Sequence, residues 1–367
     1  MRLDREHIQA EELLRFLLER PDPDATLCRV GWTGLAPLAR RHGVLLRVAD
    51  RLTGAGVTPP PSFEDVVRQE RRRADAALRV VHGVSAACEE HGVVFLFPKA
   101  FQHLPDIGTD LDMLIAADAP DVDVHFLQRA GIRARRRASH RLTAATVFEI
   151  DGCPTLLDVQ RGRLGRMGEA ATFASLMLGS AQRRVLNGVE IRVLPAEYQL
   201  ILQGMQRVFW RTSIRLSDLF QTISLLRRES INWEQLLQTA RQLRLVEELA
   251  CYLTYVDQIN REVLGRPRLT MPAALTAPGH RWGRLEFRGG TYRFPTVWVN
   301  TALYVSKLGH AVRKRSWDVA ARLSLAPAVA VASVVRGSLR TGLRAVTPGR
   351  RSRARAARHL SFSRGHS

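Results

Sequence analysis

Residues 93–117 read VVFLFPKAFQHLPDIGTDLDMLIAA, and this stretch decides the fold. It opens with a short, wholly apolar run at 93–97, the pattern of a buried strand. Lys99 follows, then a loop, and Asp110-Leu111-Asp112 opens a second strand-like run that continues to Ala116. Side chains at i and i+2 of a strand share a face. Asp110 and Asp112 are therefore expected side by side, with Leu111 and Met113 turned into the core. Two hard carboxylates on one face are what magnesium needs when it also bridges phosphate oxygens. A neighbouring strand at 155–160, TLLDVQ, offers Asp158 as a third carboxylate, sharing its face with Leu156 and Gln160.

Upstream, residues 1–85 read as helical: AEELLRFLL and GLAPLARRHGVLLRV carry apolar residues at helical spacing, and prolines at 21, 23 and 59–61 interrupt them. Ser62 is placed to cap a long helix whose basic cluster, RQERRR, reads as a solvated face. Between the acidic strands, Asp121-Val122-Asp123 repeats the D-x-D spacing. There it follows Ala119-Pro120 and reads as the N-terminal carboxylates of a helix over 121–130. Further strands are expected at 132–137 and 143–150, and Asn187-Gly188 marks a two-residue hairpin. From Pro195 the pattern is helical again, with segments at 216–228, 233–243 and 245–264 and with Tyr198, Phe209, Trp210 and Trp233 reading as core. The Pro/Gly-rich stretch 266–309 holds one small hairpin signal. The fold expected is α+β: a small mixed sheet flanked by an N-terminal helical region (1–85) and a C-terminal helical bundle (195–265). The sheet core spans 86–194, an aromatic extension 266–309, and a basic tail 310–367.

Composition narrows the function classes. Of 367 residues, 46% are hydrophobic and 25% charged, a globular balance rather than a disordered one. Cys28, Cys88, Cys153 and Cys251 are scattered, which excludes a disulfide scaffold or cysteine-rich zinc module and fits a reducing compartment. The first residues lack the apolar stretch of a secretory signal, so a cytoplasmic location is expected. The net charge of +20 is uneven: residues 310–367 hold 13 basic residues against Asp318 alone, while the rest of the chain is mildly basic. That tail is expected to be disordered or to lie on a membrane surface, contacting anionic membrane or nucleic acid. Its apolar run at 323–335 is well short of the roughly 20 residues a spanning helix needs.

The central window resembles the uncharacterised nucleotidyltransferases of the DNA polymerase beta-like superfamily. Their pattern is an apolar strand ending in Lys-Gly, a loop, and a strand carrying Asp-h-Asp-h with h apolar. Here it reads Phe95-Leu96-Phe97-Pro98-Lys99-Ala100, then Gly108-Thr109-Asp110-Leu111-Asp112-Met113. The resemblance extends over roughly residues 25–265, through Trp32, the Asp151-Gly152 turn, Pro195-Ala196-Glu197, Arg215-Leu216-Ser217-Asp218-Leu219 and Ile231-Asn232-Trp233.

This resemblance implies transfer of a nucleoside monophosphate from a nucleoside triphosphate to a hydroxyl-bearing acceptor. Asp110, Asp112 and Asp158 would hold two magnesium ions, for which manganese can substitute, and Lys99, Gly108 and Thr109 would contact the nucleotide. Asp218 matches an acidic position of the helical part and otherwise reads as a helix cap. The chain departs from the family at two places. Pro98 and Ala100 flank the lysine where glycine normally lets phosphate approach the backbone, and Asp158-Val159-Gln160 stands where Glu-x-His is usual. These departures support an alternative, a catalytically weakened scaffold that keeps the fold and docks through its basic tail.

Overall fold

The computed structural model describes residues 5–19, 22–99, 104–140, 143–165, 167–186, 189–228, 230–276 and 285–325. The chain opens with helices α1 (Arg5–Glu19), α2 (Pro23–Val30), α3 (Trp32–His42) and α4 (Leu45–Gly54), then the long α5 (Pro61–Glu90). Strands β1 (Phe95–Leu96) and β2 (Asp110–Ile115), helix α6 (Val124–Arg129) and strands β3 (Ala134–His140), β4 (Ala145–Ile150) and β5 (Cys153–Arg161) follow. Helix α7 (Ala171–Ser180) leads to the hairpin β6 (Gln182–Leu186) and β7 (Val189–Val193). Next come α8 (Ala196–Met205), a π-helical turn (Gln206–Arg211), β8 (Ser213–Ile214) and helices α9 (Leu216–Arg228), α10 (Trp233–Leu243) and α11 (Val246–Glu262). The short α12 (Ala273–Thr276), β9 (Glu286–Arg288), β10 (Thr291–Arg293) and α13 (Thr296–Arg313) complete the order.

The central sheet runs β1-β2-β5-β4-β3 and is mixed: β2 and β5 are parallel, and every other pair is antiparallel. This is the α+β architecture expected, with helices at both ends of the chain around one sheet. A single hydrophobic core joins the parts, running from Leu13 and Leu45 through Phe95, Leu111 and Leu157 to Leu219 and Tyr252. Alternation positions the acidic residues within it. Leu111, Met113, Leu157 and Val159 are buried, so the intervening Asp110, Asp112 and Asp158 share the other face.

Several local expectations change on folding. The first strand contracts to Phe95–Leu96, because only these two residues pair with Leu114 and Ile115 of β2. Ser62 caps nothing: α5 starts at Pro61 behind Pro60, without a side-chain cap. The basic cluster of α5 is not uniformly a solvated face. Arg71 reaches Asp50 on the surface, but Arg73 turns inward to the loop before β2. The 266–309 hairpin becomes part of a three-stranded sheet, with β10 between β9 and β8.

Residues 310–325, placed by charge in the tail, are largely helical. Arg322 donates to the Met167 carbonyl and Arg163 pairs with Asp318. Residues 326–367, with most of the apolar run and the anionic contact expected of them, lie outside the described part, as do Ala100, Asn187, Gly188 and the side chains of Phe209 and Trp210. No helix among the described residues is long and apolar enough to cross a membrane.

Candidate active site

The parallel register of β2 and β5 sets Asp112 directly opposite Asp158, with Asp110 opposite Leu156. Neighbouring strands lie about 4.8 Å apart, so Asp112 and Asp158, 46 positions apart in sequence, are held as near neighbours on one face. Strand β1 delivers the lysine. Three residues past the end of that strand, Lys99 Nζ donates to Asp112 Oδ2 at 2.6 Å. Gln160 Nε2 approaches Asp112 Oδ1 at 3.5 Å from the next position on the face of β5.

Burial and like charge act most strongly on Asp158. Its carboxyl is pushed up to about 6 from 3.8, chiefly by desolvation and then by the charge of Asp112, with Asp110 adding and Lys99 opposing. Its Oδ1 is buried and makes no hydrogen bond among the described residues. An unpaired buried carboxylate oxygen costs free energy unless a cation or a proton meets it. As placed, no group of three or more histidine, cysteine or carboxylate side chains among the described residues is arranged to hold a metal ion. Lys99, itself a cation, is held on Asp112 instead.

The donor set nonetheless fits a divalent ion. It offers hard carboxylate oxygens, one of them orphaned, and magnesium commonly takes one or two carboxylates and completes its shell with water and substrate phosphates. Asp110, Asp112 and Asp158 are the residues that would hold it.

Gly108 and Thr109 lie just ahead of this cluster. Thr109 Oγ1 donates to Asp110 Oδ1 at 3.2 Å, and the Gly108 carbonyl accepts from Arg73 Nη1 at 2.7 Å. Arg73 also donates to the Ile107 carbonyl at 2.5 Å and pairs with the buried Glu70, fixing the approach to β2 from the long helix. Asp106 fastens the same loop at its other side. It accepts from the backbone N–H groups of Leu46 (2.8 Å) and Arg47 (3.3 Å), supplying to α4 the N-terminal cap that Val44 lacks. Burial pushes its carboxyl up to about 6 even so.

Sequence reasoning missed both anchors. Arg73 sits inside an arginine-rich run, and nothing in the local pattern separates it from its exposed neighbours. Asp106 caps a helix some 60 residues away.

Asp218 takes the cap role. It is fully buried at the third position of α9, and Oδ2 accepts from the Arg215 N–H at 2.8 Å while Oδ1 pairs with Arg207 at 2.5 Å. A cavity of about 580 Å³ between α7, the α10–α11 corner and α13 lies elsewhere, and neither Lys99 nor any of the three strand carboxylates lines it.

Comparisons with known proteins agree with this architecture on one point. No curated protein and no solved structure matches the chain. The family model described as an uncharacterised nucleotidyltransferase matches residues 29–260, a span holding the five-stranded sheet, its acidic face and the helices through most of α11. The chain therefore belongs to the uncharacterised nucleotidyltransferase family.

Proposed function

We propose that this protein transfers a nucleoside monophosphate from a nucleoside triphosphate to a hydroxyl-bearing acceptor, with magnesium held by Asp110, Asp112 and Asp158. The observation that carries the reading is the register pairing of Asp112 with Asp158 beside Asp110, with Lys99 closing on the same group. A divalent ion, when bound, supplies charge neutralisation at the phosphates and at the attacking and leaving oxygens.

The chain's own residues do the rest. Asp110 and Asp112 project from one face of a strand whose other face is core, so their positions are fixed without loop motion. Asp158, opposite Asp112 and with Oδ1 unpartnered among the described residues, is the third carboxylate, set to help position the attacking hydroxyl. Lys99 holds Asp112 in the resting protein and lies within a side chain's swing of phosphate placed there. Gly108 and Thr109, set by Arg73 and Asp110, form the edge against which the nucleotide would lie.

A second reading has its own support. The Lys99–Asp112 ion pair is already satisfied at 2.6 Å, and Pro98 removes a backbone donor beside it, which suits a fold that has lost turnover and serves as a scaffold.

Isothermal titration of the four nucleoside triphosphates, with and without magnesium, separates the two. Magnesium-dependent binding of one triphosphate, abolished in Asp110→Ala/Asp112→Ala, is the result expected of the transferase. Absence of binding to all four sinks it and leaves the scaffold.

A further inference from the structure

The π-helical turn after α8 carries Arg207 and Arg211, and Arg215 follows four residues later at the start of α9. The turn ends at Thr212, whose φ of 52° lies in the left-handed region, so the chain reverses sharply and gathers three guanidinium-bearing residues at one corner. Among the described residues, Asp218 is the carboxylate that bonds to them. Asp218 accepts from the Arg207 side chain at one oxygen and from the Arg215 backbone at the other, and makes no hydrogen bond to the Arg215 guanidinium. Among the described residues no carboxylate closes an ion pair with Arg211 or Arg215, and the buried Nε of Arg207 finds no acceptor.

A second orphan donor lies at the same corner. His42 is fully buried and its Nδ1 accepts from the Leu216 N–H at 3.3 Å, which leaves the proton on Nε2, and Nε2 has no partner. Its ring is kept neutral, lowered to about 4 by burial and then by Arg41 and Arg215. Like charges and unmet donors of this kind are stabilised by an anion.

The corner is stitched to the acidic strand. Residues 42–47 bridge them, with His42 accepting from α9 at one end and Leu46 and Arg47 donating to Asp106 at the other. Arg47 also lies 4.2 Å over the Phe220 ring of α9 while its Nη2 donates to the Leu104 carbonyl, so α9 and the loop leading to Asp110 are clasped by one side chain. This clasp sets the first turns of α9 against the loop that ends at Asp110, and the Asp110 charge acts weakly on Arg215, after that of Asp218.

We propose that Arg215, backed by Arg211 and Arg207, forms an oxyanion site that grips the terminal phosphates of a nucleoside triphosphate beside Asp110, in place of the glycine loop this chain lacks. The inference rests on the nucleotidyltransferase reading above and assigns its phosphate recognition to the helical corner rather than to residues 98–100. Arginine suits the task because its planar fork engages phosphate oxygens in pairs.

Inorganic tripolyphosphate is the probe, since it needs no knowledge of the base. Its affinity for the full chain is measured by titration with magnesium present, alongside a thermal melt for each variant. Arg215→Met is expected to weaken binding at least tenfold, Arg215→Lys to recover part of it, and the exposed Arg211→Ser to weaken it severalfold. Arg241→Met, on α10, is expected to leave it unchanged. Should Arg215→Met fail to fold, Arg215→Lys and Arg211→Ser still decide the matter. Magnesium-dependent binding that is lost in Asp110→Ala/Asp112→Ala but unchanged in the arginine variants overturns this inference and leaves the transferase reading standing. Binding that needs Arg215 but neither magnesium nor the aspartates overturns the transferase reading and keeps the arginine site.

Discussion

Asp110-Leu111-Asp112 and Asp121-Val122-Asp123 carry the same spacing eleven residues apart, and the fold puts them to opposite uses. The first lies on β2, where alternation buries Leu111 and turns both carboxylates to one face, opposite Asp158 and against Lys99. The second lies at the entry to α6. There Asp123 accepts from the Phe126 N–H at 2.8 Å as a helix cap, and Asp121, 82% exposed, pairs with Arg161 at the surface. A D-x-D pair thus presents both carboxylates on one face beside a third only where a strand holds it and a second strand lies in register. Spacing alone does not distinguish a pair on a strand face from a helix cap.

The contrast can be broken most decisively at Asp112. Asp112→Asn keeps the shape but removes one charge from the pair facing Asp158, and magnesium-dependent triphosphate affinity is expected to fall about 100-fold, some 2.7 kcal/mol. An unchanged affinity in titration would put the two D-x-D pairs in the same class.

Arg73 sharpens the comparison, because the loop before the first pair is clasped from the long helix α5, whereas the loop before the second is clasped by Arg161 of β5. Arg73→Gln gives up charged donors to the Ile107 and Gly108 carbonyls. The expected costs are about 1–2 kcal/mol in denaturant unfolding and about tenfold in triphosphate affinity. A stability loss with affinity untouched would show that the clasp joins helix to sheet without positioning Asp110.

The smallest effects belong to the second pair. Asp123→Ala is expected to cost about 1 kcal/mol, the usual worth of an N-cap, and Asp121→Asn no more than about 0.5 kcal/mol for an exposed ion pair. Both should leave triphosphate affinity within about twofold, since the pair lies outside the acidic face. A tenfold loss in either variant, read by the same titration, would end the distinction drawn between the pairs.

The helical regions, the order of the strands along the chain and the α+β class were legible because each rests on local periodicity. Leu111 and Met113 are buried where alternation put them, whereas the helix expected over 121–130 begins only at Val124, so Asp123 caps it rather than sitting in its first turn. Arg73 and Arg215 were not legible as special, since in a chain with 52 arginines among its 55 basic residues one more arginine carries no mark. The strand expected over 93–97 shrank to two residues for a related reason. Apolarity records burial, whereas strand length depends on which partner residues β2 supplies.

By itself, then, the sequence determined the acidic strand, its inward and outward faces and the family to which the chain belongs, because periods of 2 and 3.6 residues and short motifs are properties of neighbours in the chain. Only the tertiary structure decided that Asp158 stands opposite Asp112, that Lys99 closes on that aspartate, and that Asp218 is buried against Arg207. Those relations depend on strand register and helix packing between residues far apart in sequence, and the side chains that a packed core forces together are not recorded in the spacing of any one segment.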